Sequence, residues 1–122
     1  MGKIKKKLKP IMPSLRERKR YVVFKIISND RIKDFSLVSN AIWRYSASFM
    51  GVLGQAKAGI WVLEDKWNSD KQTGMIKISN KHVDELKASL ALIDKIGDQD
   101  VIVRSTATSG IMKKAVKKYI AG

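Results

Sequence analysis

The longest near-continuous apolar stretch is Tyr21–Ser28, a run of β-branched and aromatic residues broken only by Lys25 before its final Ser. A run of this kind, without strict alternation, predicts a strand that is paired on both sides and buried at the centre of a sheet. Asn29–Lys33 is polar and reads as a connector, with Asp34 or Ser36 placed to cap a helix. From Leu37 to Met50 the residues Val38, Ala41, Ile42, Tyr45 and Phe49 recur at helical spacing, and Gly51 follows where such a helix would stop. Gly51–Gly59 carries three glycines and reads as a loop. Ile60–Asp65 reads as a second strand, Lys66–Thr73 as a turn-rich link and Gly74–Ser79 as a third strand, in which Ile76 and Ile78 oppose Met75, Lys77 and Ser79.

The apolar stripe Val83, Leu86, Leu90 and Ile93 predicts a second helix, capped by Ser79 or Asn80 and ended by Gly97. Asp98–Asp100 reads as a turn, Val101–Ser105 as a fourth strand, and Thr106–Gly110 as a small polar link. Ile111–Ile120 reads as a last helix with Lys113, Lys114, Lys117 and Lys118 on one face. The order is strand, helix, strand, strand, helix, strand, then an added helix. This predicts a ferredoxin-like, RNA-recognition-like βαββαβ antiparallel sheet of the α+β class. Right-handed crossovers put the first and third strands in the middle. Val22, Phe24, Ile26, Ile76, Ile78, Val101 and Val103 then form the core beneath the helices. The other face carries Lys25, Lys77 and Arg104 among Tyr21, Val23, Ile27, Met75 and Ile102. It is too apolar to stand bare in water, so it is expected to be covered by the last helix or by another protein.

The length of 122 residues fits one domain, 14–122, preceded by a basic arm, 1–13, that is expected to be mobile. There is no cysteine, which removes disulfides, zinc-thiolate sites and thiol nucleophiles. No apolar run approaches the ~20 residues of a membrane span, and Met1–Pro10 lacks the apolar segment of a secretory signal. These features lead to the expectation of a cytoplasmic protein without a membrane partner.

The net charge of +14 is unevenly spread. Residues 1–20 carry +8 and residues 104–122 carry +5, leaving the body nearly neutral. Two basic ends on a neutral body suggest a polyanion met by the termini. Arg16, Arg18, Lys19 and Arg20 form the first cationic group, with only Glu17 against them, and the four lysines of the last helix form the second. Thr108 and Ser109, just ahead of that helix, suit an anion at its free amides. Gly51-Val-Leu-Gly54 has the spacing of a two-glycine backbone clamp, with Lys57 nearby, but the pattern is short and common. The third strand lacks the stacking aromatics of single-strand-binding modules, so backbone phosphates rather than bases are the expected contacts.

Enzyme chemistry finds little support. His82 is the only histidine and has no evident partner for zinc binding or proton transfer. Glu64, Asp65 and Asp70, or Asp98 and Asp100, could hold Mg²⁺, but all fall in or beside turns, where Asp is expected anyway. A stand-alone nuclease built on Asp98 and Asp100 is therefore the weaker reading. A general ribosomal or architectural RNA- or DNA-binding protein fits the composition as it stands.

Several blocks, PSLRERKRYVVFKI at 13–26, AIW at 41–43, GQAKAGIWVL at 54–63, TGMIKIS at 73–79, VDELKASLALI at 83–93 and IVRSTATSGIMKKA at 102–115, resemble the archaeal family of ribonuclease P protein component two, which is related to the eukaryotic Pop-type subunits. The resemblance runs from about Pro13 to Tyr119. It implies an RNA-recognition-like α/β sandwich in a ribonucleoprotein that removes the 5′ leader of precursor tRNA. It also implies that catalysis, and the Mg²⁺ it requires, belong to the RNA, with no cofactor held by the protein. The implied partners are the catalytic RNA, precursor tRNA through the complex, and a barrel-shaped protein subunit. In that family two copies can sit as a homodimer within a four-chain assembly. Read from charge and local pattern rather than from the resemblance, the expected RNA contacts are Arg16, Arg18, Lys19, Arg20, Lys57, Thr108, Ser109, Lys113, Lys114, Lys117 and Lys118. The expected protein-facing positions are Tyr21, Val23, Ile27, Met75 and Ile102.

Overall fold

The computed structural model describes residues 18–115. Strand β1 (Lys19–Ser28) is followed by helix α1 (Phe35–Ala58), strands β2 (Trp61–Val62) and β3 (Thr73–Ser79), helix α2 (Val83–Leu92), strands β4 (Lys95–Ile96) and β5 (Gln99–Ser109), and the short helix α3 (Met112–Ala115). The five strands form one antiparallel sheet in the order β2-β3-β1-β5-β4. Strand β1 lies inside it, flanked by β3 and β5, as its unbroken apolar character requires.

One face of the sheet and helices α1 and α2 enclose the main core. Val22, Phe24, Ile26, Ile76, Ile78, Val101 and Val103 all lie in it, as the alternation along the strands predicts. Val38, Ala41 and Ile42 of α1 and Leu86 and Leu90 of α2, with Ile93 just beyond it, complete the core. Trp67 stacks on Phe24 at 6.2 Å between ring centroids and meets Phe35 at 6.4 Å. Gly74 faces this group so closely that a Cβ there would fall 3.1 Å from the Trp67 ring and clash with Phe24.

Asp34 caps α1 as expected, its Oδ1 accepting from the amide and the hydroxyl of Ser36 (2.9 and 2.7 Å). Ser79 does not cap α2: its Oγ accepts from Lys81 N (3.4 Å) at the start of a 3-10 turn over Asn80–His82, and α2 follows that turn from His82 without a side-chain cap. Four elements differ from the sequence reading. The glycine-bearing stretch 51–59 is not a loop. Gly51 takes φ 78°, ψ 165°, kinks α1, and the chain resumes helical turns to Ala58. Gln55 ties this second segment to the first through Trp43 O (2.8 Å) and Ser46 Oγ (2.7 Å). The second strand is only two residues long, because a 3-10 turn begins at Glu64. Helix α2 ends at Leu92, not Gly97. Gly97, at φ 62°, instead turns the hairpin between β4 and β5, and Gln99–Asp100 belong to β5. Finally, Thr106–Ser109 is strand. It continues β5 past a bulge to pair with Tyr21–Val23.

On the outer face a second, smaller cluster forms around Val23 and Met75. Tyr21, Leu63, Ala107 and Met112 pack on it. Met112 of α3 thus covers part of this face, in line with the expectation that the bare apolar surface needs a lid.

Candidate nucleic-acid interface

The start of β1, the end of β3 and the end of β5 meet at one end of the sheet, since Lys19 pairs with Ser79 and Tyr21 with Ser109. That register gathers cations from distant parts of the sequence. Arg18 is exposed, and its carbonyl accepts from Asn80 N (2.8 Å). Lys19 Nζ lies against Gly59, where a Cβ would sit 3.3 Å from it. Lys57 is exposed in the last turn of α1. Arg20 donates from Nε to Asn80 Oδ1 (3.4 Å), and its guanidinium lies so close over Gly110 that a side chain there would collide with it. Lys113 and Lys114 are exposed on α3. None of Arg18, Lys19, Arg20, Lys57, Lys113 and Lys114 is ion-paired among the described residues. Arg16, Lys117 and Lys118 lie outside them.

Thr108 and Ser109 sit at this end too, but in strand. Thr108 pairs with Val22. Ser109 Oγ accepts from Ile111 N and donates to Ile111 O (both 3.0 Å), so its hydroxyl serves a local turn. Gly51 and Gly54 lie at the kink and within the second segment of α1, so they do not form a loop clamp.

A second cationic region, absent from the expected contacts, lies on the uncovered part of the outer face. Lys25 and Arg104 are direct cross-strand partners, and both are exposed. Ile27 and Ile102 form the next pair on this face, 43% and 59% exposed. Beside them an open groove is bordered by Lys25, Ser28, Asp30, Arg31, Lys71 and Gln72. Arg31 is held by Asp70 at 2.8 Å. Strand alternation alone places Lys25 and Arg104 on this face. Only the register makes them neighbours.

The acidic candidates are spread out. Asp100 lies 3.9 Å from Lys95, Asp65 3.6 Å from Lys66, and Glu85 2.8 Å from His82 Nδ1. Among the described residues, no three His, Asp or Glu side chains are grouped to share a metal ion. No helix among them is long and apolar enough to cross a membrane.

A family model described as Rpp14/Pop5 family matches residues 20–120. The chain belongs to the Rpp14/Pop5 family. Relatives named "Ribonuclease P protein component 2" match over nearly the whole length. The one from Thermococcus gammatolerans is 36% identical over 118 residues, covering 97% of this chain and 96% of that protein. The one from Thermococcus kodakarensis is 33% identical over the same shares. The one from Methanocaldococcus jannaschii is 33% identical, covering 93% of this chain and 81% of that protein. A chain in the cryo-EM structure of yeast ribonuclease MRP shares the fold, with a TM-score of 0.58 at 14% identity over 77% of this chain and 75% of that one. The kinked α1, the edge strand β2 and the lysines of α3 are therefore features of an Rpp14/Pop5 chain seen in one specific sequence.

Proposed function

We propose that this chain is a protein subunit of ribonuclease P. In this reading it supports RNA-catalysed removal of the 5′ leader from precursor tRNA by binding and stabilising the catalytic RNA. The observation that carries the reading is the end-to-end match, at 32–36% identity, to archaeal chains named as ribonuclease P components. The geometry supports it: cations from the β1 start and α3 converge at one end of the sheet, with no acid paired to them among the described residues. Such an array suits the phosphate backbone of a folded RNA, giving affinity and position. The chain itself is non-catalytic in this account. The Mg²⁺ of the reaction is held by RNA phosphates, and a barrel-shaped protein subunit completes the active particle, with two copies of this chain joined at the centre of a four-chain assembly.

The test is binding of the full chain to ribonuclease P RNA, compared with duplex DNA of similar length, over a salt series. The expected result is preference for the RNA and a steep salt dependence. Replacing Arg18, Arg20, Lys113 and Lys114 with Ala should flatten the slope by ~0.7–0.9 for each phosphate that is no longer neutralised. Equal or tighter binding to duplex DNA would favour a general architectural role.

A further inference from the structure

Three side chains stand in a row across the outer face: Trp61 on β2, Lys77 on β3 and Tyr21 on β1. Trp61 pairs directly with Lys77, and Lys77 with Tyr21. Directly opposed residues hold their Cβ atoms ~4.5–5.5 Å apart, so the three form one continuous strip. Strand β2 is the sheet edge, and its alternation is sharp. Ile60 and Val62 are buried, while Trp61 is 64% exposed. The strip borders a groove of about 190 Å³ lined by Tyr21, Trp61, Leu63, Asp65, Lys77 and Met112. Leu63 and Met112 pack on the small apolar cluster, so the floor is apolar. The groove carries one acid and one base: Asp65 is ion-paired with Lys66 (3.6 Å), and Lys77 has no acid paired to it among the described residues.

We propose that this groove binds one unpaired nucleotide of a single-stranded RNA segment. The base stacks on the Trp61 indole, and an adjoining phosphate is held by Lys77. The proposal rests on the RNA-subunit reading and deepens it. The groove is below the ~300–1,000 Å³ of pockets that enclose drug-sized ligands, which suits a single planar ring. An indole face stacks on any base, and a neighbouring ammonium supplies the phosphate contact that a stacked nucleotide brings with it. A docked protein would call for further exposed apolar side chains next to Trp61. The next residue along the strip is Lys77 instead, and beyond Met112 come Lys113 and Lys114. In a paired duplex the bases are already stacked, so the site selects single strands.

The test measures the full-length chain against a fluorescent single-stranded oligoadenylate and an RNA duplex of equal length. The variants are Trp61→Ala, Trp61→Phe and Lys77→Ala. Trp61→Ala should weaken the single strand roughly five- to hundredfold, the range for removal of one base stack, and leave the duplex unchanged. Its salt slope should match the parent. Trp61→Phe should recover most of the affinity, and Lys77→Ala should lower the slope by ~0.7. Unchanged single-strand binding by Trp61→Ala, or equal loss for both probes, overturns this site while leaving the subunit reading intact. Loss of self-association by Trp61→Ala without any change in RNA binding assigns the strip to a protein contact and overturns it as well. A parent chain that binds neither probe nor ribonuclease P RNA overturns both readings.

Discussion

Lys25 and Arg104 face each other directly across β1 and β5, two cations on adjacent strands with no acid paired to either among the described residues. Like charges opposed in this way disfavour the folded sheet. A polyanion laid over them removes the repulsion. Arg104→Thr should therefore leave thermal stability equal or slightly higher while weakening RNA binding and lowering its salt slope by ~0.7–0.9. Thermal unfolding and an RNA titration across salt check both halves. A lower midpoint with unchanged RNA binding would make the pair a purely structural feature.

Gln72 holds the chain at the far end of β1. Its Oε1 accepts from Ile32 N (3.0 Å), and its Nε2 donates to Ile32 O (2.9 Å) and Ser69 O (2.7 Å). The residue is buried and has φ 55°. Gln72→Ala leaves buried backbone groups unpaired and should cost ~1–3 kcal/mol in chemical unfolding. Gln72→Gly relieves the backbone but does not restore the hydrogen bonds, and should recover only part of that.

The kink at Gly51 lies in a region of φ and ψ that is essentially reserved for glycine. Gly51→Ala should destabilise the chain by ~1–3 kcal/mol or straighten α1. Straightening pulls Gln55 away from Trp43 and Ser46. The double variant Gly51→Ala with Gln55→Ala should then cost less than the two single losses added together, which unfolding measurements can check.

The Tyr45 hydroxyl donates to Asp94 Oδ1 at 2.7 Å. That hydrogen bond, together with burial and the nearby carboxylate charge, raises the Tyr45 pKa above its ordinary value. The folded chain thus favours the protonated phenol. The contribution is fully present below the unfolded value of about 10 and is lost as pH rises through the higher folded value. Unfolding followed from neutral to strongly alkaline pH should show a loss of stability there that Tyr45→Phe reduces. At the acid end Asp34, its pKa lowered by Ser36, should contribute the opposite way, losing its share of stability as pH falls.

The core was legible because its strands carry β-branched residues in register with two amphipathic helices, and every core position read from the alternation lies in the main cluster. Elements set by distant partners were not. Thr106–Ser109 has the composition of a loop and becomes strand because Tyr21–Val23 supplies the ladder. The stretch after Gly51 reads as a loop from its glycines and is helical because Gln55 anchors it. The basic ends were visible as charge, and the meeting of their described parts, Arg18–Arg20 with Lys113 and Lys114, at one sheet end follows from register. Trp61 falls within the second strand read from the sequence, but that it faces outward beside Lys77 comes from the pairing between β2 and β3. A search for aromatics within the third strand alone passes over it.

The most direct measurement is cleavage of precursor tRNA in Mg²⁺ by ribonuclease P RNA alone, by this chain alone, and by the RNA with this chain and the barrel-shaped subunit proposed as its partner. The account predicts that the combination accelerates accurate 5′ processing at a Mg²⁺ concentration where the RNA alone is slow, and that the chain alone does not cut. Cleavage by the chain alone that disappears in Asp98→Asn with Asp100→Asn, or no acceleration by this chain in an otherwise competent reconstitution, would contradict it.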